Sequence, residues 1–126
     1  MYISFFAVGL GAMLGAWLRW GISLQLNHYF SNLALGTLMV NWIGGFIIGF
    51  TVSFLANSSI SHNYKLFLIT GFCGALTTFS AFSIEVITLL QNGKFAYAIL
   101  SISLHVIGSL LFTLLGILSY QITLAN

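Results

Sequence analysis

Charged residues are almost absent from this chain. Only 3% of its 126 residues are Asp, Glu, Lys or Arg, whereas 60% are hydrophobic. A soluble domain carries about 25% charged residues, so the composition excludes a soluble fold. The four charged positions are Arg19, Lys65, Glu85 and Lys94. Because three cations cannot form a basic patch, a nucleic-acid partner is excluded as well.

Acidic residues are the scarcest charged type, since Glu85 is the only one. A catalytic pair of carboxylates is therefore impossible within one copy of the chain. The sequence also contains no phosphate-binding glycine loop, no dinucleotide fingerprint and no Ser/His/Asp set. These absences predict a protein that is not an enzyme. The remaining classes are a channel, a transporter and a structural subunit of a membrane complex.

Cysteine occurs once and proline not at all. Cys73 alone cannot form a disulfide within the chain or a thiolate metal site, and we expect it to be a small residue of the membrane core. Without proline, any break in a helix must come from glycine and hydroxyl side chains.

No basic segment precedes the first apolar stretch, and Arg19 follows it. This order predicts a retained membrane span instead of a removable signal peptide.

Long apolar stretches fill what remains of the sequence. A helix needs about 20 apolar residues to cross a bilayer, so four spans with short loops account for nearly the whole chain. The sequence therefore predicts an all-α membrane protein with a single transmembrane domain, residues 1–126. The predicted spans cover about 2–26, 33–55, 65–91 and 95–124.

Small residues recur at four-residue spacing in the first two spans. Gly11 and Gly15 form one GxxxG pattern, which Gly9 and Ala16 extend, and the run 44–49 contains a second. In lipid, such patterns allow two helix backbones to approach closely. We therefore expect these glycines to lie at helix–helix contacts.

The segment Gly71–Glu85 is unusually polar for the interior of a membrane protein. Its two glycines and two threonines, all before residue 79, weaken a straight helix, and we expect a break near the middle of this third span. After them, Phe79 and Phe82 share one helix face, which Glu85 continues, while Ser80 and Ser83 form a parallel row. Membrane segments rarely collect polar groups without a function, so this segment is the candidate site.

Polar residues in the other spans allow two interpretations each. Arg19 either reaches the membrane interface between Trp17 and Trp20 or lines an anion vestibule. Asn41 either forms a hydrogen bond between helices or faces an aqueous route. His105, which lies on the same face as Ser109, is more readily a neutral hydrogen-bonded core residue than a metal ligand, because no second ligand has suitable spacing.

Basic residues do not favour one orientation in the membrane. Arg19 and Lys94 belong to one side of the four predicted spans, and Lys65 and the amino terminus belong to the other. An even balance of this kind predicts insertion in both orientations. The chain is also too small to enclose a pore alone. Together these properties predict an antiparallel homodimer whose identical surfaces meet at a two-fold axis.

Three stretches of the sequence together resemble one known family. They are the segment Gly71–Glu85, the run Gly36–Asn41 and the pair Arg19-Trp20. They strongly resemble the bacterial fluoride channels of the Fluc (CrcB) family, and the resemblance covers essentially the whole chain. It implies a dual-topology homodimer in the bacterial inner membrane, surrounded by lipid. It also implies two antiparallel pores through which fluoride leaves passively, and a structural sodium ion at the dimer centre.

The resemblance also assigns roles to individual residues. It implies that Asn41 and the ring edges of Phe79 and Phe82 line the pore, and that the backbone carbonyls of Gly74 and Thr77 bind the sodium ion. The other residues implied near the anion are Ser80, Ser83, Glu85, Ser109 and Arg19. Two positions depart from the family pattern, because Ala81 stands where relatives often have threonine and Ala75 where they often have glycine.

An ionised Glu85 would repel fluoride, so we hypothesise that this side chain is protonated, or turned away, when an anion is adjacent.

The alternative function is a small dual-topology multidrug or cation exporter. Such exporters need an acidic residue in the first span, whereas this first span contains Arg19 and no acid.

Overall fold

The protein consists of helices only. In a computed structural model, which describes all residues 1–126, no strand is present and four helical units are long and apolar enough to cross a membrane. The predicted all-α, four-span architecture is therefore confirmed. The elements are α1 (Tyr2–Leu26), α2 (Leu35–Ala56), α3 (His62–Lys65), a π-helical segment (Leu66–Cys73), α4 (Gly74–Leu76), α5 (Phe79–Gln91) and α6 (Phe95–Ala125).

Glycine contacts hold α1 against the third span. A methyl group added at Gly11 or Gly15 would collide with the backbone carbonyl of Phe67 or Phe72, respectively. The first predicted GxxxG contact is thus confirmed, because only glycine lets the two backbones approach so closely. Gly9, by contrast, faces open space. The expectation that Gly9 extends this contact surface is wrong, since it lies on the outward face of α1.

The second glycine run holds α2 against α6. Gly45 faces the Ser109 carbonyl, and a methyl group at Gly49 would collide with the Thr113 carbonyl. From the opposite side, Gly116 of α6 leaves room for the backbone of α2 at Phe46. This confirms the second predicted glycine contact. On its other side α2 approaches α1, where a methyl group at Gly36 would lie 2.6 Å from the Ser23 Cα, so α2 packs against both α1 and α6.

The third span is interrupted near its middle, as predicted. The residues that depart from helical geometry are Thr77 (φ −82°, ψ 153°) and Thr78 (φ −148°, ψ 119°). Gly71 and Gly74 keep helical backbone geometry, so the expectation that the backbone breaks from Gly71 onward is wrong, and the non-helical residues are the two threonines. Gly71 instead provides close contact with α1, where an added methyl group would lie 2.6 Å from the Val8 carbonyl oxygen.

A tight turn joins α5 to α6. Gly93 has the only positive φ in the chain, 73°. The Lys94 N–H donates to the Leu89 carbonyl at 2.8 Å, and the Gly93 N–H donates to the Leu90 carbonyl at 3.1 Å. This pattern satisfies the last carbonyls of α5 and requires glycine at the left-handed position. It places the amino end of α6 beside the carboxyl end of α5, so the two helices run antiparallel.

Candidate functional site

The break between α4 and α5 is the core of the candidate site. Thr78 is the N-cap of α5, because its Oγ1 accepts a hydrogen bond from the Ala81 N–H at 3.2 Å. Thr77 ends α4, and both its N–H and its Oγ1 donate to the Cys73 carbonyl. The Thr78 hydroxyl therefore replaces a helical acceptor that the break removes, whereas the Thr77 hydroxyl adds a second donor to a carbonyl that already accepts a helical bond. The Thr78 hydroxyl thus helps the chain to form the break without proline.

Asn41 of α2 completes the hydrogen bonding of the break. Its Oδ1 accepts from the Thr78 N–H at 2.8 Å, and its Nδ2 donates to the Thr78 carbonyl at 3.1 Å. The same Nδ2 lies 3.0 Å from His105 Nδ1 on α6. Both expectations for Asn41 are compatible with this geometry, since the side chain bonds to neighbouring elements and also borders a cleft. His105 is buried and hydrogen-bonded, which confirms the core interpretation of that residue.

Two backbone carbonyls lose their usual helical donors at the break. In an α-helix the Thr78 N–H would donate to the Gly74 carbonyl, but here it donates to Asn41. The Ala81 N–H would likewise serve the Thr77 carbonyl, but it donates to the Thr78 hydroxyl. Gly74 and Thr77 both border the same cleft. Carbonyl oxygens released in this way are suitable ligands for a hard cation.

Arg19 lies beside the same break, on α1. Its Nε donates to the Ala75 carbonyl at 2.9 Å, near the carboxyl end of α4. A cation at this end of a helix complements the partial negative charge of the terminal carbonyls. Arg19 is thus fixed at the level of the break, and it does not border the cleft that Asn41 and the phenylalanines share.

The two phenylalanines that follow the break differ in environment. The Phe79 side chain is 77% exposed, whereas Phe82 is only 8% exposed. Their ring centroids are 5.5 Å apart, with an interplanar angle of 66°. Phe82 also packs against the His105 ring, with centroids 4.4 Å apart. The pair therefore extends from the subunit core to its surface.

A cleft of about 460 Å³ collects most of the candidate residues. It lies between α2, the third span and α6, and no charged side chain lines it. Neutral donors and aromatic rings therefore determine its chemistry. The candidate residues that border the cleft are Asn41, Gly74, Thr77, Phe79, Phe82 and Ser109.

The remaining candidate residues lie outside the cleft. Ser80 is exposed, with its Oγ 3.3 Å from the Thr78 hydroxyl, and Ser83 donates to the Phe79 carbonyl at 2.8 Å. Glu85 lies further along α5, where its Oε1 accepts from the Thr37 hydroxyl at 2.7 Å. Glu85 borders a separate polar pocket of about 230 Å³ near the loop between α1 and α2. The structure thus separates the carboxylate from the phenylalanine pair.

Neither a role for Thr37 nor the contact between His105 and Asn41 was predicted from the sequence. Thr37 is almost fully buried, and its hydroxyl is the partner of the only carboxylate in the chain. The four-residue spacing of Thr37 and Asn41 on α2 could have indicated a role for Thr37, because it places both side chains on one helix face. No comparable signal connects His105 to Asn41, since the two residues belong to different spans.

Comparison with known proteins gives matches over nearly the whole chain. The family model described as "CrcB-like protein, Camphor Resistance (CrcB)" matches residues 6–117. A protein of Acinetobacter baylyi is 60% identical over 121 residues, which cover 96% of each chain. Relatives from Acinetobacter baumannii and Pseudomonas putida are 58% and 53% identical, and each alignment covers 95% of both chains. All three relatives bear the name "Fluoride-specific ion channel FluC".

Proposed function

The chain belongs to the CrcB family, and on that basis we propose that it is a fluoride-selective channel that lets fluoride leave the bacterial cytoplasm passively. Relatives that are 53–60% identical are named as fluoride-specific channels. Its four apolar helices make it a multi-pass membrane protein, consistent with the bacterial inner membrane. A channel moves its ion without converting it, so the protein is not an enzyme.

The observation that carries this proposal is the chemistry of the cleft. Fluoride is small and strongly hydrated, so a pore must replace its water with hydrogen-bond donors. Ser109 contributes a neutral hydroxyl donor, whereas Asn41 borders the cleft with its two amide hydrogens directed to the Thr78 carbonyl and to His105. The electropositive edges of Phe79 and Phe82 can stabilise an anion without holding it tightly. No Lys or Arg lines the cleft, where a full positive charge would retain fluoride and slow its exit.

An antiparallel homodimer is the assembly that we propose for the channel. The cleft is open along one side of the subunit, and Phe79 at its edge is largely exposed. The balanced positions of Arg19, Lys65 and Lys94 favour insertion in both orientations. A second, inverted copy would cover the open side, with identical surfaces meeting at a two-fold axis.

A structural sodium ion at the dimer centre is part of the same proposal. The fit is supported by the two carbonyls, of Gly74 and Thr77, whose helical donors are diverted to Asn41 and Thr78. Each subunit would contribute these two oxygens, which are hard ligands of the kind that sodium prefers. When bound, the ion would supply positive charge that favours anions nearby. Efflux measured after exhaustive replacement of sodium by a large organic cation would test this part, and undiminished flux would count against it.

Ion efflux from liposomes is the decisive test of function. Vesicles containing the purified protein and loaded with fluoride should release it rapidly, whereas matched vesicles loaded with chloride should not. A cation exporter would instead show proton-coupled exchange of an organic cation, and a structural subunit would show no flux. The absence of an acidic residue in the first span supports the channel over the exporter. Equal release of fluoride and chloride would contradict the proposed selectivity.

A further inference from the structure

His105 borders two cavities. It borders the cleft together with Asn41 and Phe82, and it also borders a small cavity of about 10 Å³ with Ser101. Ser101 in turn borders the polar pocket that contains Glu85. The small cavity has room for about one water molecule, and fluoride is close to water in size. His105 is thus the residue that the small cavity and the cleft share.

The hydrogen bonds of Asn41 define the protonation of the His105 ring. Because Asn41 Oδ1 accepts from the Thr78 N–H, its Nδ2 is the atom that faces His105 Nδ1. An amide nitrogen only donates, so Nδ1 must be the acceptor and the ring proton must be on Nε2. His105 therefore fixes the second amide hydrogen of Asn41 while Thr78 fixes the first.

The second nitrogen of the same ring remains available. His105 is only 6% exposed, yet Nε2 has no hydrogen-bond partner among the described contacts, and no fully buried side-chain N or O atom lacks a partner. Nε2 must therefore retain some accessible surface, and the ring borders both the cleft and the small cavity. A neutral N–H donor in that position can bind an anion without the strong hold of a full charge.

From these observations we propose that His105 is a positioning residue at the constriction of the permeation route. Its Nδ1 orients Asn41, and its Nε2–H offers a donor to fluoride as the ion passes between the polar pocket and the cleft. This inference rests on the proposed channel function. It assigns to the ring two tasks that no aliphatic side chain can perform.

A matched pair of variants tests the proposal. His105→Asn and His105→Leu introduce side chains of similar branched shape, but only asparagine offers an acceptor where Nδ1 lies. We expect His105→Asn to release fluoride from liposomes about threefold more slowly than the parent protein, because the Nε2–H donor is lost. His105→Leu should be slower than the parent by about tenfold, because Asn41 also loses a buried partner. Exposed His28 serves as a control, since His28→Gln should not change the flux. Equal flux in the Asn and Leu variants would overturn the proposal.

A spectroscopic measurement supplies a readout independent of transport. In a protein with His28→Gln and His62→Gln, both at exposed positions, ¹⁵N-labelled histidine would report His105 alone. The expected spectrum has an unprotonated Nδ1 and a protonated Nε2, and a proton on Nδ1 would overturn the proposal even if a variant failed to fold. A parent protein that releases no fluoride would refute the channel function, while the spectrum would still decide whether His105 accepts from Asn41.

Discussion

The Asn41 side chain forms two hydrogen bonds with the backbone of Thr78, one in each direction. The Thr78 N–H donates to Oδ1 at 2.8 Å, and Nδ2 donates to the Thr78 carbonyl at 3.1 Å. A side-chain amide thus pairs with a peptide group much as a neighbouring strand would. Because lipid offers no water to replace them, these bonds make the interrupted helix tolerable inside a membrane.

Removing this pairing should destabilise the protein. In Asn41→Ala, both polar groups of Thr78 and the Nδ1 atom of His105 lose their partner, so the free energy of unfolding should fall by about 1–3 kcal/mol. Thermal unfolding in detergent would measure the change. Asn57→Ala is the control, because the Asn57 hydrogen bond to the Ser53 carbonyl lies at the exposed end of α2 and should contribute little. Equal stability of the two variants would contradict this account of the break.

Glycine at position 49 should be essential for packing. In Gly49→Ala the new methyl group meets the Thr113 backbone, which cannot move without displacing α6, so we expect a loss of about 1–3 kcal/mol in stability. Gly9→Ala provides the matched comparison within a membrane helix, since nothing lies within 4 Å of the added group. That variant should be as stable as the parent or slightly more stable. Thermal unfolding of both variants in one detergent would measure the difference in stability. A loss of stability in Gly9→Ala but not in Gly49→Ala would contradict the packing of α2 against α6.

The phenylalanine edges should be needed for transport. Phe79→Ile and Phe82→Ile preserve apolar bulk but remove the electropositive ring edge, so fluoride efflux should fall by about tenfold in each. Gel filtration should show that dimers still form. Phe95→Ile, at an exposed position outside the cleft, should behave like the parent protein. Parent-like flux in both Phe79→Ile and Phe82→Ile would make the pore assignment untenable.

Glu85 should give the flux a dependence on pH. An ionised carboxylate repels fluoride and a protonated one does not, so efflux of the parent protein should increase as the pH is lowered. In Glu85→Gln the flux should become insensitive to pH, while the amide oxygen can still accept from Thr37. Efflux rates across a pH series would measure both. If the two proteins gave the same profile, Glu85 would have no proton-linked role.

Insertion in both orientations can be tested with a reporter. A compartment-sensitive reporter fused after Asn126 should be detected on both faces of the membrane in comparable amounts, because the basic residues favour neither orientation. Adding two lysines to the loop between α1 and α2 should shift the population toward one side. Detection of the unmodified fusion on a single side would eliminate the antiparallel dimer.

The residues themselves determined the class, the spans and the position of the break. Lipid requires about 20 apolar residues for each crossing, and this requirement is visible in a linear sequence. The first span was predicted at 2–26 and observed at Tyr2–Leu26, and the third was predicted to break where two threonines follow two glycines. The specific run Gly71–Glu85 also indicated the family.

Only the tertiary structure decided which residues become partners. Asn41 and Thr78 are separated by 37 positions, and Asn41 and His105 by 64. Helical periodicity gives the face on which a side chain lies, but not the depth or rotation at which two helices meet. For the same reason the sequence could not show which residues of the third span pack against α1 and which form the break. Gly71 holds α1 close, whereas the break lies at the threonines that follow it. There the Thr78 hydroxyl supplies a replacement hydrogen bond, which a glycine could not supply because it has no side chain.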